Sequence, residues 1–240
     1  MSNYHCLEVW GDLACFTRPE LKVERFSYPV ITPSAGRAIF EAIYWKPRFR
    51  WHLRLVELLT PPRYLALRRN EVKEKAPSES TLNRWRLGNE KIEPIWADAS
   101  GGNDQKGRTQ RQTMALKDVR FRLHAEMVVW PQAAGEITSL EAQFRRRAAR
   151  GQCHSQPYFG CREFPAYFRL VEDPSKEPPP LDLDLDLGWM LYDVFERDRY
   201  QDSSAAPSVS AFEAKVVRGR LEVPEYSDPR VRKPQRREAR

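Results

Sequence analysis

No apolar run in this sequence approaches the roughly 18 residues that a membrane-spanning helix needs. Met1 opens a polar stretch without the apolar segment of a secretory signal. These absences argue against a spanning or exported protein, and the expectation is a cytoplasmic one with no membrane partner. Histidine and cysteine are scarce, four of each. Cys6, Cys15, Cys153 and Cys161 form no C-x-x-C pair and have no histidines nearby in ligand spacing, which argues against structural zinc and leaves free, partly buried thiols. The run Leu181–Leu187 offers Asp182, Asp184 and Asp186, but its strict alternation suits a half-buried strand or an acidic edge better than a metal site. No metal and no cofactor are expected.

What the chain has is positive charge and a core. Its 40 Lys and Arg outnumber 33 Asp and Glu, its pI is near 9.3, and 41% hydrophobic content over 240 residues can build one large domain or two small ones. A basic chain suits a polyanionic partner. Between Phe144 and Phe164, Arg145, Arg146, Arg147, Arg150, His154 and Arg162 are threaded among Phe144, Tyr158, Phe159 and Phe164. Guanidinium groups neutralise phosphates and exposed rings stack on bases, at about 1–3 kcal/mol per base. A glycine turn lets backbone approach a phosphate. Arginines near a helix C-terminus also favour the macrodipole and aromatic residues also fill cores; the overall composition favours the RNA reading.

Along the chain, Cys6–Trp10 alternates as a strand before the Gly11-Asp12 turn, and Ala14–Phe16 continues it. Thr32-Pro33-Ser34 starts a helix that ends near Lys46, because Pro47 follows, and this places Tyr44 in its last turn beside Trp45 and Lys46. Trp51–Leu59 and Leu116–Trp130 read as strands, the second with Arg120, Arg122, His124 and Glu126 on a charged side. The polar stretch from Arg68 to Gly107 is expected to be mostly loop. Thr138 and Glu141 have capping-box spacing for a second helix that Gly151 stops. Ala166–Val171 is a further strand, Pro174–Pro180 a break, and Phe212–Val217 with Leu221–Val223 a terminal hairpin turning at Arg218-Gly219. Strands mixed with two short helices give an α+β fold class.

Six segments are more specific: Val9-Trp10-Gly11-Asp12, Cys15-Phe16-Thr17-Arg18-Pro19-Glu20, Lys22-Val23-Glu24-Arg25, Glu41-Ala42-Ile43-Tyr44-Trp45-Lys46-Pro47, Arg68-Arg69-Asn70-Glu71-Val72 and Gly160-Cys161-Arg162-Glu163-Phe164. Together they resemble the type I-C (Dvulg subtype) CRISPR-associated Cas-five family, up to about Tyr192. The resemblance implies a ferredoxin-like, RNA-recognition-type (RAMP) domain, over 1–172, with a smaller β-rich C-terminal part, over 181–226; composition adds a mobile insertion near 73–107 and a basic flexible tail over 227–240, and the last fifty residues look unlike the family pattern. It also implies a Cascade subunit that holds the repeat-derived 5′ handle of CRISPR RNA beside the backbone and large subunits and meets target DNA through the complex. In this subtype it further implies the metal-independent endoribonuclease that cuts pre-crRNA at the base of the repeat hairpin.

Such a cut needs a base, an acid and a cation for attack of a ribose 2′-OH on the adjacent phosphate. The resemblance gives these roles to a tyrosine, here Tyr44, and to a Lys-His pair whose positions fall on Ser139 and Leu140, neither able to transfer a proton at neutral pH. Lys46, Lys117, His124 and His154 are candidate substitutes, and the catalytic set expected is Tyr44, Lys46, His154 and His124. The RNA-binding set expected is Trp45, Arg68, Arg69, Arg111, Lys117, Arg145, Arg146, Arg147, Arg150 and Arg162. Three function classes stay open: a processing endoribonuclease slower than its relatives, a non-cleaving subunit that caps the 5′ handle, and a duplex-DNA binder suggested by charge alone.

Overall fold

The computed structural model describes residues 4–72, 75–92, 108–196 and 207–234. The chain divides into two compact units, Met1–Leu65 with Met114–Arg240, and Ala66–Thr113. The first is built on β1 (Tyr4–Ala14), α1 (Pro33–Ile43), β3 (Phe49–Leu58), β5 (Arg108–Val129, which begins in the second unit), α3 (Ile137–Ala149) and β6 (Tyr167–Val171). Short β2 (Arg25–Phe26) also pairs with β5. These six main elements run β-α-β-β-α-β and their strands lie in the order β3-β5-β1-β6, antiparallel throughout, which is the ferredoxin-like arrangement. Strands β7 (Leu185–Asp193), β8 (Ser210–Val217), β9 (Arg220–Glu222) and β10 (Val231–Arg232) extend that sheet, β9 joining it to β3. Strand β10 falls inside the stretch expected as a tail, and 235–240 of that stretch lie outside the described residues.

One face of the sheet is covered by α1 and α3. His5, Phe40, Trp51 and Phe144 interlock there, with ring centroids 4.6 Å apart for Trp51 and Phe144 and 5.0 Å for Phe40 and Trp51. Helix α1 starts where expected: the Thr32 hydroxyl accepts from the Ala35 N–H at 3.3 Å and Pro33 occupies the first turn. Gly36 lets the helix lie on β3, since a Cβ there would come 2.7 Å from Leu53 Cδ2.

Several elements differ from expectation for local reasons. Helix α1 stops at Ile43, not near Lys46, and Tyr44 is extended at φ −153°, ψ 120°. The last carbonyls of the helix are taken by another segment: Ala42 O accepts from the backbone N–H groups of His154 and Ser155, and Ile43 O from Arg147 Nη1. Helix α3 has no capping box. A 3₁₀ turn, Pro131–Glu136, feeds directly into it, Thr138 lies inside its first turn, and Glu141 approaches His5 Nε2 at 3.4 Å. Gly151, at φ +64°, ends it as expected.

The second unit holds most of β4 (Tyr64–Val72), the first residues of β5 and helix α2 (Glu79–Arg86). Pro77-Ser78-Glu79-Ser80 belongs to that helix start, not to a loop, because the Ser78 hydroxyl accepts from the Thr81 N–H at 3.3 Å. The rest of the expected insertion, 73–74 and 93–107, lies outside the described residues. Two of the three aspartates of 181–187 hold backbone N–H groups at turns. Asp184 accepts from the Arg218 N–H at 2.6 Å and Asp186 from the Gly188 N–H at 3.0 Å, and β7 begins only at Leu185.

Candidate functional site

The end of α1 meets α3 and the loop after it, both distant in sequence, as well as the start of β3. Arg147 of α3 lays its guanidinium over the Tyr44 ring, 5.3 Å from the centroid, while its Nη1 donates to Ile43 O at 3.3 Å. The loop after α3 is held against the same helix end by the His154 N–H, 2.7 Å from Ala42 O. Phe49 packs on Tyr44 from β3, with centroids 5.5 Å apart. The Tyr44 ring is therefore buried, yet its hydroxyl has no hydrogen-bond partner among the described residues and is not one of the unpartnered side-chain atoms sealed from solvent. Burial pushes the Tyr44 pKa up, Arg147 partly offsets this, and Glu136 adds to it. At neutral pH the group is a phenol, a proton donor and not a base.

Trp45 and Lys46 follow on an exposed turn, so the phenol, indole and ammonium do not share one helical turn as expected. Arg145 and Arg146 of α3, Arg150 at its C-cap, and the His154 side chain in the following loop are exposed; Arg162 is exposed as well, but next to it Cys161 packs by Arg25 and not by Tyr44. Among the described residues, none of these four arginines forms an ion pair. The aromatic platform is smaller than the sequence suggests. Phe144, Phe159 and Phe164 are core residues, Phe159 packing on Phe16 and Phe121, and only Tyr158 of the four rings is exposed. Gly160, at φ +79°, is used for packing: a Cβ would come 2.0 Å from Cys15 O.

His124 is not brought to Tyr44. Side chains alternate along β1, so His5 meets the helices while Cys6, its neighbour, lies 3.9 Å from His124 Nε2 on the opposite face of the sheet. There His124 is buried and 3.3 Å from Glu57 Oε2. Glu57 also accepts from Arg122 Nη1 at 2.7 Å and Arg220 Nε at 3.0 Å, and Glu8 pairs with Arg120 and Arg169. Burial would raise the Glu57 pKa, but the hydrogen bonds from His124, Arg122 and Arg220 outweigh it and hold the group at about 2. This is an internal ion-pair network, and its members Glu8, Glu57, Arg169 and Arg220 escaped sequence reasoning because their partners are 8 to 163 residues away. Lys117 is half-exposed, with Nζ 3.8 Å from Asp118 Oδ2. Arg68, Arg69 and Arg111 belong to the second unit, where Arg111 pairs with Glu71 at 3.0 Å.

Residues 5–224 match the family model described as CRISPR-associated protein, Cas5d type. The chain belongs to the Cas5d family. It is 37% identical over 241 residues to the CRISPR pre-crRNA endoribonuclease Cas5d of Mannheimia succiniciproducens, covering 97% of this chain and 100% of the relative. To the protein of the same name from Thermus thermophilus it is 39% identical over 230 residues, covering 91% and 90%. A solved CRISPR-associated protein shares the fold at a TM-score of 0.62 with 18% identity, over 96% of this chain and 97% of the other. So does a functionally uncharacterized protein from Streptococcus mutans, at 0.62 and 17% over the same shares. In this Cas5d chain the two positions that resemblance assigns to a Lys-His pair differ in exposure: Ser139 faces solvent, whereas Leu140 is part of the core.

Proposed function

We propose that this Cas5d chain binds CRISPR repeat RNA and cuts it at the base of the repeat hairpin without a metal, then stays on the 5′ handle within a Cascade complex. The observation that carries this reading is the placement of Tyr44: a neutral phenol beneath a guanidinium, at a helix end that also anchors the His154 loop. The names of the two relatives support the substrate class.

In the reaction the 2′-OH loses its proton to a base, the 2′ oxygen bonds to phosphorus, and the P–O5′ bond breaks to leave a 2′,3′-cyclic phosphate. The departing oxygen takes a proton and becomes a 5′-OH. Tyr44 suits the donor role, since a phenol with a raised pKa keeps its proton at neutral pH. His154, whose backbone is anchored at the same helix end, is the base, and Arg147 with the exposed arginines of α3 neutralises the phosphorane. The second reading is a non-cleaving cap on the handle, favoured by Ser139 and Leu140, which leave no Lys-His pair on α3.

Incubation of the purified protein with its cognate repeat hairpin in excess EDTA separates the two. Slow cleavage giving cyclic-phosphate ends is expected. Tight binding with no product at any enzyme excess would leave the cap as the function.

A further inference from the structure

The outward faces of β7, β8 and β9, with the chain around β10, form a cleft of about 810 Å³ that is remote in sequence from the Tyr44 site. Strand β8 alternates strictly, burying Phe212, Ala214 and Val216 and turning Glu213, Lys215 and Val217 outward as the cleft floor. Strand β9 pairs with Val216–Val217 and β10 with Ala211–Phe212. Outward-facing residues of both therefore line the cleft along with the floor between them.

Clefts for small apolar ligands are lined mostly by hydrophobic side chains. This one carries five cations, four of them arginines, against two carboxylates. Three of those cations already have partners: Lys215 with Asp186, Arg220 with Glu57 and Arg230 with Asp228. Arg218 and Arg232 form no ion pair among the described residues. Arg232 stacks on Trp189, its Cζ 4.4 Å from the ring centroid, and Trp189 remains 42% exposed. Arg218 is fixed at the turn tip, where its own N–H is held by Asp184 and the next residue is Gly219 at φ +71°. The cleft thus has two guanidinium forks with no ion pair among the described residues, one at a hairpin tip whose backbone is held by Asp184 and one stacked on a partly exposed indole.

We propose that this cleft is a second nucleic-acid site that takes a single-stranded polynucleotide, with Arg218 and Arg232 on phosphates and Trp189 against a base. Planar guanidinium forks match phosphate geometry, and a ring partly open to solvent offers a stacking surface that an acidic polypeptide would not use. The site does not depend on cleavage at Tyr44.

The test uses the full-length protein and a labelled 20-nucleotide oligo(U), which has no hairpin, titrated at several salt concentrations. Arg218→Asn tolerates the left-handed backbone there (φ +48°), and with Arg232→Gln it removes both forks. Oligo(U) affinity should fall at least tenfold and the log–log salt slope by about 0.7 for each arginine, while the repeat hairpin is cut at the wild-type rate. In parallel, the fluorescence quenching that oligo(U) causes should shrink in Trp189→Phe. Unchanged affinity and slope in the double variant, undiminished quenching in Trp189→Phe, or displacement of oligo(U) by poly-glutamate as readily as by unlabelled oligo(U) would overturn the proposal. Because hairpin cleavage is read separately, its loss in unmodified protein would count against the processing site and not against this cleft.

Discussion

On the face of the sheet away from the helices, Arg120, Arg122, Arg169 and Arg220 are each matched to Glu8 or Glu57. At the end of α3, Arg146 and the C-cap residue Arg150 face solvent and form no ion pair among the described residues. The same residue type is structural in one place and available for ligand in the other, and the difference lies in whether a carboxylate was built beside it. Net charge does not distinguish them. The same contrast separates the histidines: His124 is locked to Glu57, whereas His154 is anchored by its backbone and leaves its side chain exposed.

The largest effect should come from breaking the satisfied side. Arg122→Ala leaves buried Glu57 short of its best partner and the Pro178 carbonyl without its donor, which should cost about 3–5 kcal/mol in urea unfolding. Gly160→Ala comes next. It forces an L side chain into φ +79° and onto the Cys15 carbonyl, for a loss of about 1–3 kcal/mol by the same measurement. Removing charge from the open side should do the reverse. Arg146→Gln with Arg150→Gln should leave stability within about 0.5 kcal/mol but weaken repeat-RNA binding and lower its salt slope by about 0.7 for each phosphate that is no longer neutralised. If matched duplex DNA bound better than repeat RNA at every salt concentration, the open side would be misassigned.

Acid titration gives a smaller and more graded contrast. Burial and then Arg145 hold the His5 pKa at about 4, below its ordinary 6.5, so the unfolded chain binds the extra proton and stability declines as pH falls from 6.5 toward 4. Glu57, held at about 2 against 4.5, contributes stability above pH 4.5 that is lost as pH falls toward 2. Urea midpoints followed with pH should therefore fall through two windows, and His5→Phe should flatten the upper one only.

Much of the scaffold was legible in the sequence because its signals are local. The Thr32-Pro33 start of α1 and the Arg218-Gly219 hairpin turn each depend on neighbouring residues, and each forms as expected; β1 also forms, but it runs unbroken from Tyr4 to Ala14 through the expected Gly11-Asp12 turn, is paired by β5 and β6 on either side, and is buried on both faces. The early end of α1 was not legible, since the donors that take its last carbonyls come from residues 147, 154 and 155. Neither was the burial of Phe159 and Phe164, whose loop shows no helical or strand period. For the candidate site, the motif around Tyr44 was readable, but its meeting with Arg147 required the packing of α3, and His124 could be assigned to the other face only once the sheet register was known.

The most direct test of this division is the single-turnover cleavage rate of the cognate repeat hairpin in EDTA for wild type, Tyr44→Phe and His124→Gln, with RNA affinity and folding measured on the same samples. A loss of at least about 100-fold in Tyr44→Phe, with RNA affinity kept and with His124→Gln cutting at the wild-type rate when folded, is the predicted result. An undiminished rate in Tyr44→Phe, or a folded His124→Gln that binds RNA but does not cut, would contradict the account.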